Sequence, residues 1–208
     1  MTLLDDLRAH RLLGIIRGTD AAASIDTALA LADEGVRLFE VSLTSAGALR
    51  VIEEVATRLN GRIQLGAGTV LTPGEVIRAR DAGATYIVTP GLAPSVPAAI
   101  DDGVPVLCGA LTPTEIITAV GLGVDAVKIF PASTMGSGYF KDLRAPFPDI
   151  PLIPVGGVGA DTVPAYLANG AVAVGVASPL CGDAPNGGDL VALRLRARSF
   201  LEAVREQV

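Results

Sequence analysis

The 208-residue chain is half hydrophobic yet only 4% aromatic, with 18% charged residues and a formal charge of −6. That composition suits a compact domain with an aliphatic core and excludes a disordered chain. The acidic balance excludes the basic face that a nucleic-acid or anionic-membrane partner needs, but leaves room for a small anion held by backbone N–H groups.

Two lone cysteines, Cys108 and Cys181, and a single histidine, His10, exclude a disulfide framework, a His-rich zinc centre and a histidine-based triad. A metal held by carboxylates alone stays formally open. Both thiols lie in hydrophobic stretches, so a cytoplasmic location is expected. The opening MTLLDDLRAH has two early aspartates and no apolar run, unlike a signal peptide. Prolines interrupt the charge-free stretches Ala82–Ile100 and Thr162–Gly182, which excludes a membrane-spanning helix there.

Along the chain, short apolar runs alternate with segments of helical period. An opening helix carries His10 and leads to a strand at Leu13–Ile16 and a helix at Ser24–Glu34. A strand at Leu38–Val41 precedes a helix at Ala46–Leu59, and Gln64–Gly66 precedes Pro73–Ala82. Strands at Tyr86–Thr89 and Val104–Cys108 come next, then a helix at Pro113–Val120 and a strand at Ala126–Ile129. Leu152–Val155, the helix Asp161–Ala168, the strand Ala171–Val176 and an amphipathic run at Leu190–Val208 complete the series.

Asp20, Thr72, Thr112 and Asp161 sit where N-caps belong, with Pro73 and Pro113 at first helical positions. Gly35, Gly83, Gly103, Gly123 and Gly170 follow helical stretches, where a left-handed residue is wanted. Eight apolar strands alternating with helices predict an α/β fold, a single (β/α)8 TIM barrel over residues 1–208 with no second domain. A doubly wound open sheet is the alternative, and it ordinarily uses fewer strands.

Barrel chemistry sits at the C-terminal ends of the strands. There the sequence places Arg17, Glu40, Gly66-Ala67-Gly68-Thr69, Thr89-Pro90-Gly91, Cys108-Gly109, Lys128, Val155-Gly156-Gly157 and Ala177-Ser178. A cation, a carboxylate and an amine are thus aimed at one mouth. Of 16 basic residues only Lys128 and Lys141 are lysines, and Lys128 stands inside the buried-strand pattern VDAVKIFP. Arginine does not deprotonate in proteins, whereas burial and a neighbouring cation such as Arg17 can leave an amine neutral and nucleophilic. Lys128 therefore reads as a Schiff-base lysine, the competing reading being an ion pair with Glu40. Glu40, in the strand-like run LFEVSL, is costly there unless paired or working as a proton shuttle. Lys141, in GYFKDLR, reads as a surface lysine and Cys108 as a small core residue. PVGGV and the loop at Ala177-Ser178 resemble the phosphate cradle of barrels, though a ligand-free tight turn has the same composition.

The segments GIIRG, FEVSL, GAGTVL, VTPGL, VKIFPAS, PVGGV and VASPL occur in one order over nearly the whole chain. In this they resemble the class I aldolases of 2-keto-3-deoxy-6-phospho sugar acids, the KDPG, KDPGal and 4-hydroxy-2-oxoglutarate aldolase family. The resemblance implies that Lys128 forms an imine with pyruvate and that Glu40 shuttles protons. It further implies that Arg17 and Thr69 handle the pyruvate carboxylate and that Gly156, Gly157 and Ser178 cradle the phosphate. Gly68, Pro90, Val155 and Phe130 complete the candidate substrate-binding residues, Phe130 either packing against the imine or serving as plain core packing. A homotrimer and no cofactor are expected, with a phosphosugar acid and pyruvate as the small-molecule partners.

Two positions depart from the KDPG branch, which usually carries an Arg within a pattern like EVTLRT and a Thr before the Gly pair. Here Thr44 and Val155 stand at those places, as in the galactonate branch, whereas VTPGL leans toward the gluconate branch. The expectation is cleavage of a 2-keto-3-deoxy-6-phospho-aldonate, the galactonate epimer favoured, to pyruvate and D-glyceraldehyde 3-phosphate. Alternatives are 4-hydroxy-2-oxoglutarate aldolase activity, a non-covalent phosphosugar isomerase or epimerase with Glu40 as base, and a non-catalytic phosphosugar-binding barrel.

Overall fold

The local chemistry of the turns sets where each element begins. Helices α4 (Pro73–Asp81) and α6 (Pro113–Leu122) start from the same device, Leu-Thr-Pro-x-Glu. Thr72 and Thr112 accept from the N–H groups of Glu75 and Glu115, whose carboxylates reach back to the Thr72 and Thr112 N–H groups. Each capping box satisfies donors that the first helical turn cannot. Helix α1 (Leu3–His10) opens on a third such box at Thr2 and Asp5, and α2 (Ala21–Glu34) on Asp20. The computed structural model describes residues 2–205, so Glu206–Val208 of the expected terminal helix lie outside the described residues.

Eight parallel strands follow: β1 (Leu12–Ile16), β2 (Leu38–Ser42), β3 (Gln64–Gly68), β4 (Tyr86–Val88), β5 (Val106–Ala110), β6 (Ala126–Ile129), β7 (Leu152–Pro154) and β8 (Val174–Val176). The intervening helices are α3 (Ala48–Leu59), α5 (Ser95–Asp101), α7 (Ala132–Met135), α8 (Gly138–Arg144) and α9 (Val163–Ala168), with α10 (Ser178–Cys181) and α11 (Leu190–Arg205) after β8. The strands pair in sequence order and β8 returns to pair with β1, Leu13 beside Gly175. The last gap is joined by a single bridge, Val155 beside Gly175, and by the Val172 N–H donating to the Leu152 carbonyl at 3.0 Å. The sheet is a (β/α)8 TIM barrel, not an open doubly wound sheet. No helix among the described residues is long and apolar enough to cross a membrane.

Side chains alternate between two cores. Outward residues such as Ile16, Phe39, Val41 and Val127 pack under the helices. Inward residues Leu13, Ile15, Leu38, Tyr86, Val88, Leu107, Ala126, Ile153 and Val155 fill the barrel, and Leu3 and Leu7 of α1 close its N-terminal end. Each leucine, isoleucine or valine among them contributes roughly 1.5–3 kcal/mol on full burial. The parity that buries Leu38 and Ala126 inside also turns Glu40 and Lys128 inward, two residues further toward the C-terminal mouth.

Several boundaries differ from the sequence expectation. β5 runs from Val106 to Ala110 instead of Val104 to Cys108, because the Val104 N–H closes α5 on the Ala99 carbonyl at 2.8 Å. β8 begins at Val174 because the Ala171 N–H is spent on the Tyr166 carbonyl at the end of α9. Asp161 is not the N-cap of α9: that helix starts after Thr162, whose hydroxyl meets both the N–H and the carbonyl of Gly159. All five expected helix-ending glycines have positive φ, Gly35 and Gly123 as the caps themselves.

Candidate active site

Lys128 is 7% exposed and Glu40 1% exposed, both facing the interior near the mouth. Among the described residues no carboxylate oxygen comes within the 4.0 Å of Lys128 that an ion pair requires. The amine instead lies 5.1 Å from the Phe130 ring centroid. Burial pushes the Lys128 amine below the ordinary lysine range; the Glu40 charge opposes this and the Arg17 charge adds to it. Burial also pushes the Glu40 carboxyl up, against the pull of Lys128 and Arg17. The two groups thus approach each other in proton affinity, the pattern that marks a buried pair in a cleft as a candidate for proton transfer. Arg17 itself is exposed at the rim, just beyond β1.

Glycine makes the room for this chemistry. A Cβ on Gly68 would lie 2.2 Å from Glu40 Oε1, and one on Gly109 would meet the Pro90 carbonyl carbon at 2.2 Å. Gly66 and Gly68 face inward on β3, which runs to Gly68, two residues past the Gly66 end expected from the sequence. Thr69 follows in the left-handed region, φ 60°. Its hydroxyl lies 3.0 Å from Ser42 Oγ, which lies 2.8 Å from Thr44 Oγ1. A chain of three hydroxyls therefore lines the mouth between β2 and β3. Ser42 went unread in the sequence, although it sits two residues past Glu40 on the same face.

Opposite stand the candidate anion loops. Gly156 and Gly157 have φ of 94° and 73°. A Cβ on Gly156 would come 3.2 Å from the Phe130 ring, and one on Gly157 2.5 Å from Ser133 Cβ. The Ala132 and Ser133 N–H groups donate to the Val155 and Gly156 carbonyls at 2.8 and 3.0 Å. The loop following Lys128 and the Gly-Gly turn are therefore tied together through their backbones. Ser178 starts α10 at the neighbouring strand end and is exposed there, Val155 is buried beside the turn, and Pro90 is exposed on the rim.

A cleft of about 390 Å³ lies far from these groups, at the N-terminal end beside Arg8, Arg11 and Ala171. No inward-facing titratable pair opens into it, so convergent chemistry rather than cavity size locates the site. No group of three or more His, Cys, Asp or Glu side chains arranged to hold a metal occurs among the described residues.

The family model described as KDPG and KHG aldolase matches residues 4–189. The chain belongs to that aldolase family. It is 33% identical over 194 residues to the probable 2-dehydro-3-deoxy-6-phosphogalactonate aldolase of Rhizobium meliloti, covering 92% of this chain and 90% of that one. It is 36% identical over 163 residues to the 2-dehydro-3-deoxy-phosphogluconate aldolase of Pseudomonas aeruginosa, covering 77% and 74%. The native KDPGal structure superposes with a TM-score of 0.88 at 31% identity, over 94% of this chain and 95% of that one. As an aldolase the protein is a carbon–carbon lyase of the class I type, which replaces the isomerase and non-catalytic readings.

The aldolase brings Lys128, Glu40, Arg17, Gly68 and Thr69 to one mouth, with Phe130, Val155, Gly156, Gly157, Ser178 and Pro90 around it. Cys108 is buried in the outer core and Cys181 donates toward the Ile15 carbonyl at 3.4 Å, so neither thiol faces the mouth. Lys141 is exposed on α8 and His10 is exposed at the end of α1.

Proposed function

We propose that the aldolase cleaves a 2-keto-3-deoxy-6-phospho-aldonate to pyruvate and D-glyceraldehyde 3-phosphate through an imine on Lys128. The observation that carries this reading is the buried Lys128 amine, without a carboxylate ion-pair partner among the described residues yet within the fields of Glu40 and Arg17. Neutral Nζ adds to the C2 ketone, and the carbinolamine loses water to give a protonated imine. Glu40, directly or through water, takes the proton of the C4 hydroxyl as the C3–C4 bond breaks. The bonding electrons pass to the imine nitrogen, leaving an enamine and releasing the aldehyde. Glu40 then returns a proton to C3, and hydrolysis frees pyruvate and the amine. Arg17, with the backbone at Gly68 and Thr69, holds the carboxylate. Pro90 and Phe130 wall the pyruvate subsite; Val155, Gly156, Gly157 and Ser178 border the phosphate.

Borohydride trapping with labelled pyruvate tests the reading: mass should be added at Lys128 alone. Labelling elsewhere, or none with active enzyme, overturns it.

The galactonate epimer is the favoured substrate, a choice supported by Thr44 in the hydroxyl chain with Ser42 and Thr69 and by Val155 ahead of the Gly pair. A lactate dehydrogenase-coupled assay with both epimers should give the higher kcat/KM for galactonate; the reverse order rejects the assignment. We also assign the protein a cytoplasmic location and a homotrimeric state. Support for the trimer comes from exposed apolar side chains on the outer helices flanking α5, Ile77 on α4 and Ile117 and Val120 on α6, at 47%, 60% and 42% exposure.

A further inference from the structure

Among the described residues, three buried side-chain polar atoms have no hydrogen-bond partner: Glu40 Oε2, the Tyr86 hydroxyl and Arg144 Nε. Two of the three lie in one layer of the barrel. β3 pairs Gly66 with Glu40 on one side and with Tyr86 on the other, so these residues stand abreast across three strands. The glycine is required there, since a Cβ on Gly66 would lie 2.3 Å from Tyr86 Cε2 and 2.4 Å from its Cζ. The Tyr86 ring thus occupies the space over Gly66, while the Glu40 carboxyl lies over Gly68, the next inward position of the same strand.

Successive inward positions are separated by about 6.6 Å. One water holding two hydrogen bonds of about 2.8 Å bridges oxygens roughly 4.5–5.6 Å apart, a gap that side chains on successive inward positions meet by leaning toward each other. Leaving both oxygens unsatisfied would cost about 1–3 kcal/mol each, and a phenol and a carboxyl supply the donor and acceptor that a shared water needs. Tyr86 is fully buried and titrates well above the ordinary tyrosine range, burial first and the Glu40 charge second. It therefore remains a donor whenever Glu40 is ionised.

We infer that Tyr86 is a positioning residue, its hydroxyl holding Glu40 Oε2 through one enclosed water and leaving Oε1 to exchange protons with substrate. This rests on the role of Glu40 proposed above. The other groups around the carboxyl are Lys128 from β6, Arg17 beyond β1 and Ser42 on β2; β3, β5 and β8 present glycines and β7 presents Ile153. Of these, Lys128 and Arg17 are the charges that act on Glu40.

The test is Tyr86→Phe, which keeps the ring seated on Gly66. A hydrogen bond to the ionised form favours it, so losing the donor raises the Glu40 pKa. The acid limb of the kcat profile should move up by about half to one pH unit, and kcat should fall about tenfold with KM within twofold. In a Glu40→Gln background the same change should have no further effect on kcat. An unmoved acid limb, or an equal loss in both backgrounds, overturns the inference, because packing alone would give either. Should the variant fail to fold, a high-resolution structure of the unaltered enzyme decides: an ordered water bonded to both oxygens supports the link, and its absence overturns it. Full turnover by Glu40→Gln itself would instead reject the proposed role of Glu40. Labelled Lys128 with an unmoved limb rejects only the tyrosine link.

Discussion

Gly68 and Gly109 illustrate how a missing methyl group serves two different ends. The atom crowding a Cβ on Gly68 is the tip of the Glu40 side chain, which can swing aside, whereas Gly109 faces the backbone of Pro90. Gly68→Ala should therefore fold with a Tm within a few degrees of the parent while kcat falls about 100-fold, a loss that a 1 Å misplacement can cause. Gly109→Ala should lose several kcal/mol through the strain of overpacking. Equal Tm losses in the two variants by thermal melting would contradict this division.

Burial also links Glu40 to stability. Its folded pKa lies above the ordinary value of about 4.3, so between those two values the folded state holds more protons than the unfolded one. Stability contributed by this group is full below the ordinary value and falls as pH rises through the window. Glu40→Gln should then be more stable than the parent at pH 8, with the difference shrinking below pH 4, as read by urea melts at the two pH values. Lys128 and Glu40 were legible in the sequence because a charge inside an apolar run needs a reason. Tyr86 and Ser42 were not, since a tyrosine or serine in a strand is unremarkable until its inward parity and its missing or shared partner are known.

At the level of elements, the twin capping boxes of α4 and α6 are local enough to test singly. Thr112→Ala should cost about 1 kcal/mol, with activity retained, and Thr72→Ala should match it; chemical denaturation measures both. Backbone N–H groups of Leu71 and Thr72, and of Thr112 and Leu111, hold Glu75 and Glu115 below the ordinary carboxylate range. The boxes therefore weaken as pH falls through those depressed values.

Such start signals were readable because a Thr-Pro-x-Glu string satisfies its donors within four residues. Strand ends were less readable. The apolar runs Val104–Cys108 and Ala171–Val176 carry no mark showing where their N–H groups turn from closing a helix to pairing in the sheet. Thr162, not Asp161, sets the start of α9 for a similar reason: its hydroxyl bonds Gly159 in a turn that precedes the helix.

For the whole molecule, the choice between a barrel and an open sheet rests on β8 meeting both ends of the sheet, through its ladder with β1 and the Val155–Gly175 bridge to the end of β7. Periodicity supplied eight strands but not that closure, which needs distant residues to meet. Assembly is a separate question of surface. If three copies associate through α4 and α6, Ile117→Glu should shift the particle to smaller mass in light scattering while far-UV circular dichroism stays unchanged. An unaltered mass would place the contact elsewhere.

The seam between β7 and β8 has a consequence of its own. One bridge and one further backbone bond join strands that elsewhere share continuous ladders, and Val155, at that bridge, leads directly into the Gly156–Gly157 turn. An anion seated on the turn would act as a clasp on the loosest stave of the cask. Deuterium uptake at residues 152–156 and 172–176 should slow when phosphorylated substrate binds, while the staves around β2 and β3 keep their rate.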